Sequence, residues 1–316
     1  MRAPGFWQHD GMIAHVLAPL GPITAAITAR RLTQPGFTCA IPVVCIGNAV
    51  IGGSGKTILA RHVLARYEAR GVLPCALTRG HGGRLGGPIL VDPARHGAAD
   101  VGDEALLLAA SAPTIVAHDR AAGARLAVAE GARVIVMDDG LQNPGLVKSV
   151  SLLTIDGGAG FGNARLLPAG PLREPIAAAA RRCAAAILIG ADTRDARAAL
   201  PRDLPVLTAR IIARGPMSLR GRRVVGFAGI GRPGKFFASL AELGAEVAAT
   251  VGFADHHRYG PGDLARLSAL AARHQARLAT TEKDAVKLPG DFLGECLVIR
   301  AGLAFDDPAA LDRLLP

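Results

Sequence analysis

Short apolar runs of β-branched character alternate along this chain with longer Ala/Leu/Arg segments in which apolar positions recur every three or four residues. The runs Ile41–Ile46, Pro74–Thr78, Thr114–Ala117, Arg133–Met137, Ser151–Ile155, Ala185–Ile189 and Val206–Ile212 predict strands. The segments Ile58–Arg70, Glu104–Ala110 and Arg120–Glu130 predict helices between them. Such alternation predicts βαβ units and a mostly parallel sheet, with ligands beyond the carboxyl ends of the strands. A second, shorter series starts near Arg222: strand Val224–Ala228, helix Lys235–Leu243, strand Glu246–Val251, helix Asp263–Ala276 and strands Arg277–Thr281 and Cys296–Arg300. At about 150 residues per domain, 316 residues suit two domains. The expected division is a larger α/β unit over 32–213 and a smaller one over 214–316, parting near Arg214-Gly215-Pro216 and preceded by a separate segment over 1–31.

The stretch Ile41–Thr57 organises the larger unit. A strand runs into Gly52-Gly53-Ser54-Gly55-Lys56-Thr57 and then into a helical pattern. Glycines let backbone N–H groups turn toward phosphate oxygens, the helix start adds partial positive charge, Lys56 can reach the β- and γ-phosphates, and Thr57 can ligate Mg²⁺. The strict pattern G-x-x-x-x-G-K-[ST] is not met, because Val50 stands where its first glycine would be. A glycine turn without nucleotide is the plain alternative.

The other candidate chemistry sits at predicted strand ends. Strand Arg133–Met137 ends in Asp138-Asp139-Gly140-Leu141-Gln142, where a carboxylate can hold Mg²⁺ or its water against the loop threonine. Adjacent acids cannot both point one way on an extended strand, so their roles should differ. Thr78–Arg84, TRGHGGR, carries two arginines on a glycine-rich backbone suited to an anionic group. Asp103 in Asp100–Glu104 reads as a helix cap. Prolines on both sides stiffen Arg173 and Glu174 in Pro171–Pro175, which suits a role in supporting the site or holding its metal. In the smaller unit, Asp255-His256-His257-Arg258-Tyr259 lacks zinc-ligand spacing and better suits a histidine assisted by an aspartate as general base. Thr281-Glu282-Lys283-Asp284 and the glycine stretch Gly226–Lys235 read as turns.

The N-terminal stretch Met12–Ala29 is almost uncharged, about as long as the shortest membrane spans, and followed by Arg30-Arg31. Gly21-Pro22 should bend or break it, which favours an interfacial, monotopic anchor; a buried helical hairpin is the alternative. A signal peptide would carry the phosphate loop away from cytosolic ATP.

Composition changes the picture in three ways. Half the residues are apolar but only 4% are aromatic, which suits an aliphatic core and argues against a nucleic-acid stacking platform. The net charge of +10 is carried mainly by arginine and points to acidic partners. Cys39, Cys45, Cys75, Cys183 and Cys296 are odd in number and widely spaced, as expected for reduced core residues in a cytosolic protein.

The succession GNAVIGGSGKT, TRGHGGR, DVGDEALLLA, DDGLQN, PAGPLREP, FAGIGRPGKFF, FADHHRY and TTEKDAVK, behind a hydrophobic N-terminus, resembles the lipid A 4′-kinase (tetraacyldisaccharide 4′-kinase) family over nearly the whole chain. Val50 matches that family's own loop. The resemblance implies an α/β P-loop kinase at the cytoplasmic face of the inner membrane. It would use ATP and Mg²⁺ on a glycolipid, lie against an anionic membrane surface, and bind no nucleic acid. It implies that Gly52, Gly53, Ser54, Gly55, Lys56, Thr57 and Gln142 hold nucleotide, that Thr57, Asp138, Asp139 and Glu174 surround the metal, and that Asp103 pairs with His256, with His257 as the other candidate. Arg79, Arg84 and Arg173 would face the acceptor. The chain departs from the family at Leu141 and Asn143, where DDGFQH is usual, and at His81, where tyrosine is usual. A membrane-associated P-loop ATPase acting on a partner would want the same loop and acids; it would hydrolyse ATP without a lipid acceptor.

Overall fold

The computed structural model describes residues 4–316. Twelve strands form one mixed, mostly parallel sheet: β1 Val43–Gly47, β2 Pro74–Thr78, β3 Ile89–Leu90, β4 Thr114–Val116, β5 Val134–Asp138, β6 Val150–Asp156, β7 Ala185–Ile189, β8 Val206–Arg214, β9 Arg223–Ala228, β10 Glu246–Gly252, β11 Arg277–Thr281 and β12 Cys296–Phe305. Their order is β10-β9-β11-β12-β8-β7-β6-β1-β5-β2-β4-β3. β1 lies between β5 and β6, and the chain leaves it toward β2 on one side and later crosses it to reach β6 on the other. That reversal opens a crevice at the carboxyl end of β1, where the phosphate loop stands.

β1, β2, β5 and β7 are buried along their whole length, which is why they read as continuous apolar runs instead of alternating ones. Helix Lys56–Ala69 buries Leu59, Ala60, Val63, Leu64 and Tyr67 against them. Each large side chain so buried contributes roughly 1.5–3 kcal/mol.

The joint between the two α/β series is a single strand. The first half of β12 pairs parallel with β11, from Leu278↔Cys296 to Thr281↔Ile299, and its second half pairs antiparallel with β8, from Arg300↔Arg214 to Phe305↔Ala209. Sheet hydrogen bonding therefore runs across the expected parting at Arg214-Gly215-Pro216. The end of the chain, expected with the smaller unit, returns to the larger one: Leu311 and Leu315 pack beside Leu64 and Tyr67, the Tyr67 hydroxyl donates to the Pro316 carbonyl (3.1 Å), and Arg66 pairs with Asp312. Helix Pro308–Leu314 belongs there because its apolar face covers the phosphate-loop helix. β9, β10 and β11 keep cores of their own, around Leu240 on one face and Phe227 with Leu267 on the other.

The N-terminal segment is helical over Met12–Leu17 and Gly21–Leu32, joined by a 3₁₀ turn over Ala18–Leu20. The expected break at Gly21-Pro22 is thus a tightened turn, because Pro19 and Pro22 both occupy first-turn positions where no N–H is required. Met12, Ile13, Val16, Leu20, Ile23 and Ile27 are exposed and follow helical spacing along one stripe. Opposite that stripe, Gly21 lies against Leu166 and the Thr28 hydroxyl donates to the Arg173 carbonyl (3.3 Å). The segment is long and apolar enough to cross a membrane, and little of it is buried, so the hairpin alternative does not describe it.

Candidate active site

β1 delivers the chain to Asn48, which is fully buried and donates from its side-chain amide to Ser54 Oγ across the loop (3.0 Å). Gly55 has φ 83°, a left-handed conformation strained for any side chain, and it starts helix Lys56–Ala69. Lys56 and Thr57 are consequently the helix's first residues, beside N–H groups without intrahelical partners. Val50 bridges to Leu172 and packs on the core, while Ile51 N donates to the Pro171 carbonyl (2.8 Å). A valine at 50 therefore pins the loop to the Pro171–Arg173 stretch.

The adjacent acids do part company. Asp138 ends β5 with its carboxylate buried, whereas Asp139 turns the chain out at φ 53°. Thr57 Oγ1 donates to Asp138 Oδ2 (3.0 Å), and Asp138 Oδ1 is buried without a partner among the described residues. Burial, with Glu104 adding to it, pushes Asp138 up to about 7, against the pull of Lys56. A buried carboxylate oxygen with nothing to accept, beside a threonine hydroxyl, fits a Mg²⁺ ion sharing its remaining positions with phosphate and water. Burial would also raise Asp139, but Lys56 and Arg173 outweigh it and hold that carboxyl below its ordinary range. Lys56 Nζ lies 3.9 Å from Asp139 Oδ1, and Arg173 grips Asp139 with two hydrogen bonds of 2.9 and 3.3 Å.

Gln142 and Glu174 are hydrogen-bonded to each other beneath the loop. Gln142 Nε2 donates to the Asn48 carbonyl and to Glu174 Oε1, both at 2.8 Å, and its oxygen accepts from Arg173 (3.2 Å). Glu174, 2% exposed, also accepts from Arg182 (2.7 Å), and neither residue bonds to Thr57 or Asp138 among the described residues. They are struts under the loop. Arg173, expected at the acceptor, is turned onto Asp139 and Gln142. Arg84 pairs with Asp100 at 2.8 Å on the surface, while Arg79 is exposed and makes no ion pair among the described residues.

TRGHGGR and DVGDE are glycine-rich because they stack backbone on backbone: a side chain at Gly83 would strike the Asp100 carbonyl and Gly102 N, and one at Gly102 would strike the His81 carbonyl. This contact sets the start of helix Asp103–Ala109, so the cap reading of Asp103 is incomplete. Asp103 Oδ2 meets His256 Nδ1 at 2.8 Å, joining the two α/β units side chain to side chain. Burial would raise Asp103, yet His256 and Lys283 hold it below the ordinary range; the same hydrogen bond raises His256 against burial and Lys283. His256 sits at φ 58°, a costly conformation for a non-glycine residue that aims its ring across the seam. His257 points elsewhere: it bonds Asp263 (2.9 Å) and stacks on Phe253 with ring centroids 4.6 Å apart.

Arg120 went unnoticed in the sequence. It is 3% exposed, donates to the Ala117 carbonyl (2.8 Å), and feels Asp138 and Asp139, while burial lowers it to about 10. Its signal was an arginine at the first position of a helix, where the helix dipole disfavours a cation. The departures at 141 and 143 resolve simply. Leu141 is buried against Gly47, and Asn143 Oδ1 closes a turn by accepting from Gly145 N (2.9 Å). His81 lies edge-on to His256, ring centroids 6.3 Å apart.

A glycine loop at a β1 switch point, with threonine, lysine and paired acids converging on it, defines a P-loop kinase fold. The family described as tetraacyldisaccharide-1-P 4′-kinase (LpxK) matches residues 13–316, and the chain belongs to it. It is 54% identical to the tetraacyldisaccharide 4′-kinase of Gluconacetobacter diazotrophicus, over all of this chain and 97% of that one. It is 52% identical to the Methylorubrum extorquens protein of the same name, over all of this chain and 98% of that one. The crystal structure of Aquifex aeolicus LpxK in complex with ATP superposes with a TM-score of 0.75 at 24% identity, covering 96% of this chain and 98% of that one, which establishes the fold.

Proposed function

We propose that this chain transfers the γ-phosphate of ATP to the 4′-hydroxyl of a tetraacyldisaccharide 1-phosphate, a lipid A precursor. Family membership and the curated relatives support the activity. The observation that carries the mechanism is the 2.8 Å bond between Asp103 of the larger unit and His256 of the smaller. Its neighbour Glu104 is close enough to Asp138 to raise it, which ties the pair to the phosphate loop.

Loop N–H groups and Lys56 hold the β- and γ-phosphates. Thr57 and Asp138 would hold Mg²⁺, which when bound neutralises phosphate charge. Asp103 fixes the His256 ring so that Nε2 can take the acceptor's hydroxyl proton as the oxygen–phosphorus bond forms and ADP leaves. Arg79, without an ion pair among the described residues, can meet the acceptor's phosphate. Incubating the protein with γ-labelled ATP and a panel of glycolipids should place label in the disaccharide lipid; release of inorganic phosphate with no labelled lipid would favour the ATPase reading.

The exposed stripe from Met12 to Ile27 would seat the enzyme on an anionic membrane at the cytoplasmic face of the inner membrane. Ile13→Ser, Val16→Ser, Ile23→Ser and Ile27→Ser together remove apolar contact of roughly 1.5 kcal/mol or more per side chain. They should abolish flotation with anionic vesicles while sparing turnover on detergent-dispersed acceptor. Unchanged flotation would remove the stripe from membrane binding.

A further inference from the structure

The TTEKD stretch, a turn by sequence, reaches the centre of the site. Asp284 is fully buried and accepts from Gly229 N (3.0 Å), the Tyr259 hydroxyl (2.8 Å), Thr281 Oγ1 (2.7 Å) and Lys287 Nζ (2.8 Å). Four donors on one carboxylate lock the short helix Glu282–Ala285 to the loop that carries His256. Its neighbour Lys283 is thereby aimed at the seam, where Nζ lies 3.2 Å from His256 Nε2 and 3.1 Å from Asp255 Oδ1.

The contact constrains where the protons can sit. An ammonium has donors only, so a hydrogen bond from Lys283 requires His256 Nε2 to present its lone pair. The ring is then neutral, its one proton on Nδ1 and donated to Asp103. Left alone with Asp103, the ring would be drawn toward imidazolium, which cannot accept a proton. Four groups face it: Asp103 and Asp255 favour the charged form, Lys283 opposes it, and His81 stands edge-on.

We propose that Lys283 is a positioning residue for the base: its ammonium, steadied by Asp255, selects the Nδ1–H tautomer of His256 and holds the ring in its neutral, proton-accepting form until the acceptor hydroxyl takes its place at Nε2. This rests on the base reading of Asp103 and His256.

The test uses the full chain with Lys283→Met and Lys283→Gln, which remove the charge, and Lys283→Arg, which keeps it. The His256 imidazole, assigned by its loss in His256→Ala, is titrated by NMR, and kcat is followed from pH 5 to 9. Both neutral variants should titrate His256 about one pH unit higher than the parent. The acidic limb of kcat should move up by the same amount, turnover should recover toward the parent value at alkaline pH, and Lys283→Arg should stay near the parent. An unmoved or lowered imidazole titration in either folded neutral variant overturns the proposal, as does a kcat loss equal at every pH. The NMR readout does not depend on catalysis, so an active His256→Ala would remove the base reading while the titration still reports on Lys283.

Discussion

Lys56→Ala should lower phosphate transfer by about 10³-fold or more while leaving the melting temperature close to that of the parent. The side chain is only 12% exposed, but its one ion pair among the described residues is with Asp139 at 3.9 Å, and Asp139 remains bidentate to Arg173 when the lysine is gone. Little of the fold depends on that ammonium. At the start of the helix its proposed task is to hold phosphates, where loss of a transition-state cation would be felt in full. Lys56→Arg should fail nearly as badly, since a planar fork does not replace a point charge in a narrow glycine loop. Activity and thermal melting measured on the same preparations check this; near-normal turnover in a well-folded Lys56→Ala would sink the phosphate-loop assignment.

Asp103→Ala and His256→Ala should each cost about 10²- to 10⁴-fold in kcat, and the double variant little more than either alone. Two residues acting as one unit lose their function once. Nucleotide affinity should be largely kept, because neither side chain hydrogen-bonds to the glycine loop among the described residues, and His257→Ala should retain turnover, since that ring is committed to Asp263 and Phe253. Fully multiplicative losses would refute the pairing.

The pH dependence follows in sign. His256 is raised above its ordinary value by Asp103, so activity should fall as pH drops through that raised value and the ring takes a proton. Asp103→Asn should move this acidic limb to lower pH. For stability, the imidazole's contribution is complete below about 6.5 and lost as pH rises through its raised folded value. The carboxylate's is present above about 3.8 and lost as pH falls through its lowered one. The pair therefore steadies the joined units most in the mildly acidic window between those limits.

The sequence alone determined the features written locally. Strands such as β1, β5 and β7 are continuous apolar runs because both faces of a parallel sheet are covered, and that burial needs no partner to be read. The glycine loop was legible because its backbone angles admit almost nothing else, and the order of motifs carried the family. Tertiary structure decided what depends on contacts between distant residues. Asp103 resembles any helix cap until His256, 153 positions away, is brought to its carboxylate, and Lys283 resembles a turn lysine until Asp284 clamps it toward the same ring. Glu174 and Gln142 suit metal and nucleotide by type, and only the tertiary structure shows their hydrogen bonds to Arg182, Arg173 and Asn48 beneath the loop. Residues 301–316 could be assigned to the larger unit only once β12 was seen to change partners midway, because nothing local marks the point where a strand exchanges one neighbour for another.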